Sequence, residues 1–338
     1  MGKWVAGFIV LVLLALLGAI GAAWWWLDRP LELAQPRVEV SIESGATPRD
    51  VADAWVKAGV ATSPVLLYEW FRWSGQARRI RAGSYAVGTG ITPTELLNKM
   101  VRGDEVLETV RLTEGWTLRQ FRDALAKAPA LEPTTRDMSD RQLMVALGEP
   151  EMHPEGRFFP DTYAYSRGVS DLTVLKRAHQ AMQRQLVQAW AERDAATPLK
   201  SMDDALILAS IIEKETGQRS ERGLVAGVFV NRLRIGMPLQ TDPTVIYGLG
   251  RSFDGNLRKR DLQADGPYNT YTRAGLPPTP IAMPGKASLL AAVQPAPTKA
   301  LYFVARGDGT SQFSDTLDAH NRAVNQFQRV PAASKKQR

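Results

Sequence analysis

Apolar positions are distributed in three ways along this chain. From Trp4 to Leu27 they make an uncharged run of 24 residues, more than the roughly 20 that a helix needs to cross a bilayer. Lys3 precedes the run and Trp24-Trp25-Trp26 closes it, as an interfacial aromatic belt would. From about residue 37 a smaller pattern recurs three times: a strand-like run such as Val38–Ile42 or Val106–Leu112, then Gly45-Ala-Thr47, Gly90-Ile-Thr92 or Gly115-Trp-Thr117. Three residues after each Thr stands Asp50, Glu95 or Gln120, the spacing of a capping box. Apolar residues follow four and eight positions after the Thr, as Val51 and Trp55, Leu96 and Met100, Phe121 and Leu125. Each repeat therefore predicts a strand, a turn and a capped helix.

Beyond these repeats, helical spacing dominates. The pattern predicts a short helix near Asp140–Leu147, an amphipathic one over Leu172–Ala195, one over Glu221–Ile235 capped by Ser220 and stopped by Gly236, and a last one over Ala319–Gln328. Between them lie an irregular aromatic stretch from Glu155 to Tyr165 and a Tyr-, Asn-, Thr- and Pro-rich loop from Pro267 to Pro284. Leu301–Ala305, Gly307-Asp-Gly309 and Ser311–Phe313 read as a hairpin. The fold class expected is α+β behind a single N-terminal transmembrane helix.

The stretch Asp203–Gly217 is the candidate centre of the chemistry. Ser201 or Asp203 can cap its start and Gly217 can end it. At about 100° per residue, Leu208, Ile211 and Ile212 fall within about 60° of Glu215, whereas Glu213 points roughly 160° away from it. A carboxylate on an apolar face, near the negative end of a helix dipole, is disfavoured in its ionised form on both counts. Glu215 is thus expected to hold its proton to higher pH, as a general acid must. The competing reading pairs it at the surface with Lys214 and Arg219.

Composition narrows the classes of function. A net charge of +7 points to an anionic partner or surface, and Phe71-Arg72-Trp73 with Arg78, Arg79 and Arg81 interleaves aromatics with cations. Behind a membrane span, acidic headgroups or a carboxylate-bearing wall polymer fit better than nucleic acid, and no nucleic-acid partner is expected. A cleavable signal peptide competes with the anchor, since Ala19–Ala23 offers small residues, but its apolar core would be only about 7–15 residues long. Lys3 orients the N-terminus to the cytoplasm and the bulk of the chain outward, a preference that Arg29 weakens. There is no cysteine, hence no disulfide or thiolate metal site. His153, His179 and His320 lie far apart without ligand spacing; no metal and no cofactor are expected. Gly-x-Ser-x-Gly, Ser-x-x-Lys, P-loop and Gly-x-Gly-x-x-Gly patterns do not occur, which leaves carboxylate chemistry.

Several motifs together resemble a known family. Ala209-Ser-Ile-Ile-Glu-Lys-Glu215-Thr, Val228-Phe-Val-Asn231-Arg-Leu, Leu239-Gln-Thr-Asp-Pro-Thr-Val-Ile-Tyr247-Gly, Tyr268-Asn-Thr-Tyr271, Gly275-Leu-Pro-Pro and Ile281-Ala-Met-Pro-Gly are similar to those of the YceG-like (MltG) family of bacterial endolytic murein transglycosylases. Glu155-Gly-Arg-Phe-Phe-Pro-Asp161-Thr-Tyr and the terminal Leu301-Tyr-Phe-Val with His320-Asn321 match as well. The order strand, helix, helix, strand over the first repeat, a second helix from Ser63-Pro64 and a strand at Arg81–Val87 resembles a LysM module, which binds N-acetylglucosamine-containing glycans; a packing domain without ligand is the alternative.

The resemblance implies cleavage of the β-1,4 bond between N-acetylmuramic acid and N-acetylglucosamine inside peptidoglycan strands, leaving 1,6-anhydro ends. It places the catalytic acid at Glu215. Substrate contacts are expected from Asn231, Gln240, Asp242, Asn269, Tyr271 and Tyr165, with Glu213, Glu155 and Asp161 in support. Asp242 can instead cap the brief helix that Gln240-Thr-Asp242-Pro243 starts and that ends near Gly248–Gly250, Asn231 can serve as a buried structural amide, and Tyr247 suits core packing better than binding. A hydrolytic muramidase on the same scaffold, or a non-catalytic wall-binding scaffold protein, remains the alternative. The division expected is a cytoplasmic tip and anchor over 1–28, a linker over 29–36, a LysM-like module over 37–112, a catalytic domain over 113–330 and a flexible tail over 331–338. Localisation in the inner membrane as a single-pass protein follows, and the resemblance also implies work beside peptidoglycan synthases, although no stretch displays a site for one.

Overall fold

The computed structural model of the chain describes residues 2–43, 45–215 and 217–328, with side chains from residue 7 onward. The tail expected over 331–338 lies outside the described residues. Helices and strands are mixed, and the chain divides into two units: one of residues 1–108 with 129–131 and 164–169, the other of 109–128, 132–163 and 170–338.

In the first unit the apolar run forms helix α1 (Gly2–Leu27). Among the described residues Gly7–Leu27 is the one helix long and apolar enough to cross a membrane; its most apolar stretch is unburied, and Trp26 near its end packs partly buried against the core of this unit. Strands β1 (Glu32–Leu33) and β2 (Arg37–Ile42) lead to helix α2 (Pro48–Ala58), strand β3 (Val60–Ala61) and helix α3 (Pro64–Trp73); strand β4 (Gly83–Gly88) and helix α4 (Pro93–Arg102) follow. β2 and β4 are antiparallel, in register from Arg37 opposite Gly88 to Ile42 opposite Gly83. Burial alternates along β2, sending Val38, Val40 and Ile42 inward. There they meet Trp55 of α2, Leu67 and Phe71 of α3, and Leu96 and Met100 of α4.

All three capping boxes form. Thr47, Thr92 and Thr117 each accept from the backbone N–H three residues on, and Asp50, Glu95 and Gln120 accept in return from the cap N–H. Gly45, Gly90 and Gly115 all adopt positive φ, at 88°, 97° and 76°, which explains why glycine recurs two residues before each cap.

The second unit begins within strand β5 (Leu107–Arg111) and continues through helices α5 (Leu118–Ala126) and α6 (Asp140–Leu147). The aromatic stretch expected to be irregular ends in strand β6 (Thr162–Ser166), which pairs with β5. Helices α7 (Asp171–Ala191), α8 (Met202–Glu215), α9 (Arg222–Arg234), α10 (Asp242–Leu249) and α12 (Lys286–Val293) then build the main core, and the short α11 (Lys259–Gln263) adds nothing buried to it. The hairpin of β7 (Tyr302–Ala305) and β8 (Ser311–Ser314) and helix α13 (Leu317–Phe327) complete it.

Two local expectations are corrected. Ser220 does not cap α9; it lies inside a 3-10 turn over Arg219–Glu221, and Glu221 uses its carboxylate to accept from the Ser311 N–H instead. α8 is not amphipathic but buried on every side from Ala205 to Ile212, because α7, α9, α10 and α12 all pack against it. Its Ser210 hydroxyl is satisfied inside, donating to the Ile207 carbonyl and accepting from the Ile281 N–H.

Candidate active site

Glu215 is the last residue of α8, where a helix presents unpaired carbonyls and a negative dipole end. Its Oε2 accepts a hydrogen bond of 2.7 Å from the Thr241 hydroxyl. Burial, first, and then the nearby Asp242 carboxylate raise its pKa; the Thr241 bond and the Arg232 guanidinium pull in the other direction, and the net displacement is upward. With Thr241 donating to Oε2, Oε1 is the oxygen on which a protonated Glu215 would carry its hydrogen. No surface pairing holds Lys214 to this carboxylate: its Nζ donates to the Gly115 carbonyl at 3.2 Å.

The segment that carries Thr241 is held in an unusual shape. Gln240 has φ of 50°, a left-handed conformation costing a non-glycine residue about 1–2 kcal/mol. Backbone and side-chain contacts secure it on both sides. Arg232, on α9, donates from Nη1 to the Leu239 carbonyl at 2.7 Å and from Nε to the Leu301 carbonyl at 2.7 Å. Thr270 accepts from the Gln240 N–H through its carbonyl at 3.0 Å and from the Thr241 N–H through its hydroxyl at 3.1 Å. Thr244 bonds the same Thr270 hydroxyl at 2.8 Å. Burial lowers the pKa of Arg232, whose guanidinium also sits 5.3 Å from the Tyr302 ring centroid.

Asp242 does not cap α10. Thr241 holds the cap position, and Asp242 is the first helical residue, exposed and accepting 2.5 Å from the Tyr271 hydroxyl. The Tyr271 pKa is raised, mainly by burial and then by this bond. Glu215, Thr241, Asp242 and Tyr271 are therefore linked, with the exposed Gln240 beside them.

Other predicted residues lie elsewhere or face inward. Asn269 is buried, and its Nδ2 donates to the carbonyls of Asp261, Leu262 and Ala264, while its Oδ1 accepts from the Tyr271 N–H. Its amide is thus occupied in shaping the loop that presents Tyr271, which corrects the expectation of a sugar contact. Asn231 donates to the carbonyls of Thr298 and Ala300, the structural-amide alternative. Tyr165 belongs to the first unit, buried in β6 with its hydroxyl on the Pro129 carbonyl. Asp161 is exposed and accepts from the adjacent Thr162 N–H.

Glu213 points away from Glu215 yet is not solvated, with only 6% of its side chain exposed. One oxygen pairs with Arg222 at 3.0 Å, and the other accepts from the Gly285 N–H at the start of α12. Glu155 is also buried. It accepts from the Leu118 N–H at the first turn of α5 at 3.0 Å and from the Tyr247 hydroxyl at 3.2 Å, and burial pushes its pKa up to about 7. Tyr247 packs edge-on against Tyr268 within the core. Next to Glu155, Gly156 has φ of 81°, and a β-carbon there would come within 2.4 Å of Pro280; only glycine fits.

Thr241 and Arg232 are the functional candidates that motif reading missed. Both stand inside quoted motifs, Thr241 between Gln240 and Asp242, Arg232 directly after Asn231, and the motifs themselves were the available signal.

A carboxyl at a helix end whose pKa is raised by burial, with a hydroxyl donor on one oxygen and a second carboxylate nearby, has the features that acid–base chemistry requires, in an α+β scaffold. The comparisons with known proteins say which scaffold. The YceG-like family matches residues 40–326, and the chain belongs to that family. The endolytic murein transglycosylase of Bacillus subtilis is 31% identical over 307 residues, covering 86% of this chain and 84% of its own length. The endolytic murein transglycosylase of Streptococcus pneumoniae is 26% identical, covering 95% of this chain and 65% of its own length. Among solved structures, a YceG-like protein of Listeria monocytogenes superposes with a TM-score of 0.56 at 28% identity, over 86% of this chain and 99% of that one.

Proposed function

We propose that this chain is an endolytic lytic transglycosylase, cutting the β-1,4 bond between N-acetylmuramic acid and N-acetylglucosamine within peptidoglycan strands. The observation that carries the reading is the placement of the Glu215 carboxyl at the end of α8, held on one oxygen by Thr241, with burial shifting its pKa upward; the names of the Bacillus and Streptococcus relatives point to the same activity.

One carboxyl suffices for the chemistry. Protonated Glu215 donates from Oε1 to the glycosidic oxygen as the bond to the muramic C1 breaks, and the departing strand takes that proton away. Ionised Glu215 is stabilised at this moment by the Thr241 hydroxyl and the Arg232 charge. It then removes the proton from the muramic C6 hydroxyl as O6 bonds to C1, closing the 1,6-anhydro ring and restoring the acid. Water is not consumed. Asp242 and Tyr271 flank the carbon on which positive charge develops, and Gln240 meets the sugar amides.

The hydrolytic alternative draws on one specific observation: Asp242 is a second carboxylate close enough to Glu215 to raise its pKa, and hydrolases use a pair. Mass spectrometry of the products separates the two. New ends lighter by one water, as anhydro-muramic acid, support transglycosylation; reducing ends make the chain a hydrolase, and an absence of new ends leaves it a scaffold.

In this reading α1 is a single-pass anchor in the cytoplasmic membrane, with the rest of the chain on the outer side, where a peptidoglycan synthase would supply nascent strands. The antiparallel β2–β4 pair enclosing α2 and α3 supports a LysM-like module that grips the glycan.

A further inference from the structure

The first unit has an apolar surface that neither its core nor the proposed glycan chemistry uses. On α3, Leu67 and Phe71 point into the core and are fully buried. On the opposite side Val65, Leu66 and Trp73 are 58%, 52% and 76% exposed. A ten-residue helix is thus apolar on both faces, and water is a poor environment for the outer one.

That outer face borders α1. A groove of about 1080 Å³ runs from Ala19, Ala23 and Leu27 on α1 to Leu66, Trp70 and Trp73 on α3. At about 1.5 Å per residue, the Gly7–Leu27 span matches a hydrocarbon core of about 30 Å, and residues 19–27 occupy its final 12 Å or so. Whatever leaflet surrounds that end of α1 also meets α3. The one carboxylate of α3, Glu69, is compensated, accepting from the Trp73 indole at 3.1 Å and pairing with Arg72 at 3.5 Å. Exposed cations follow at once, Arg72 and then Arg78 and Arg79, while Arg29 lies 3.8 Å over the Trp25 ring. Apolar residues, indoles and arginines in this order are what an interfacial helix presents to acyl chains and phosphate headgroups.

We infer that α3 is seated in the outer leaflet of the bilayer that α1 spans, with phospholipid acyl chains filling the α1–α3 groove and phosphate headgroups against Arg72, Arg78 and Arg79. The inference rests on the reading of α1 as a membrane anchor. Its consequence is that the glycan-gripping module is fixed at the membrane surface rather than tethered on a free linker, which limits cleavage to strands close to their site of synthesis.

The absence of cysteine gives a clean test. The full chain carrying Leu66→Cys, Trp73→Cys, Ala23→Cys or, as a control at the far end of α4, Arg102→Cys is labelled with an environment-sensitive fluorophore. Each is reconstituted into phosphatidylethanolamine–phosphatidylglycerol vesicles with and without spin-labelled lipid. Probes at Leu66 and Trp73 are expected to lose as large a fraction of their emission to the spin label as the probe at Ala23, and the Arg102 probe to lose little. Quenching at Ala23 with Leu66 and Trp73 behaving like Arg102 overturns the inference and leaves the anchor standing. No quenching at Ala23 removes the anchor and the inference with it. Disulfide-linked dimers of unlabelled Leu66→Cys, together with unquenched Leu66 probes, would show a second copy covering this face, which also overturns it.

Discussion

Replacing Thr241 by Val removes the hydroxyl bonded to Glu215 while keeping a β-branched side chain of similar volume in a buried position. Both backbone ties of the segment, Gln240 and Thr241 to Thr270, survive the change. A hydrogen bond to an ionised acceptor contributes about 1.5–3 kcal/mol, and one pKa unit corresponds to about 1.4 kcal/mol. The bond favours the ionised form, so its loss raises the Glu215 pKa further, by roughly one to two units. In a pH profile of kcat/KM for release of anhydro ends from purified glycan strands, the alkaline limb reports the acid in free enzyme. For Thr241→Val that limb moves to higher pH by about the same amount, and the plateau falls because a weaker acid gives up its proton less readily. Thr241→Ser keeps the donor and the wild-type limb. An alkaline limb in Thr241→Val at the wild-type pH would refute the coupling between this hydroxyl and the acid.

Further outcomes follow from the neighbouring charges. Asp242→Asn removes a like charge and lowers the Glu215 pKa, so its alkaline limb shifts to lower pH, opposite to Thr241→Val; the same profile reads it. Glu155 ionises in the folded chain only near pH 7 against an ordinary 4.5, so its protonated form stabilises the fold below about pH 4.5 and that contribution is lost as pH rises through 7, about 3 kcal/mol in all. Urea titrations at pH 5 and pH 8 should show this loss in wild type and its removal in Glu155→Gln. Arg222→Met strands the buried Glu213 carboxylate and costs about 3–5 kcal/mol by chemical denaturation, whereas Glu213→Gln lowers activity far less than Glu215→Gln.

What could be read in advance was what is local. A Thr, an acid or Gln three residues on, and a preceding glycine decide the entries to α2, α4 and α5 within a few residues, and all three formed as spaced. α12 went unpredicted because Lys286–Val293 is short and apolar all round, with no stripe to count; such a helix is recognisable only by its place among α7, α8 and α9. Helical geometry predicted different directions for Glu215 and Glu213. It could not show that Glu213 would be buried, since Arg222 and Gly285 reach it from other elements, 9 and 72 residues away. Thr241 meets Glu215 across 26 residues and Tyr271 meets Asp242 across 29, distances over which periodicity carries no information. Asn269 illustrates the reverse failure: a polar residue in a polar loop suggests a ligand, yet three nearby carbonyls consume its amide.

The central claim is that one carboxyl both gives and retakes the proton. Glu215→Gln, in the intact chain, keeps a side chain of the same size that can still accept from Thr241 but has no proton to give. Incubated with glycan strands and followed by mass spectrometry, it should yield no anhydro-muramic ends while unfolding in urea at nearly the wild-type midpoint. Anhydro ends released at the wild-type rate would contradict the account.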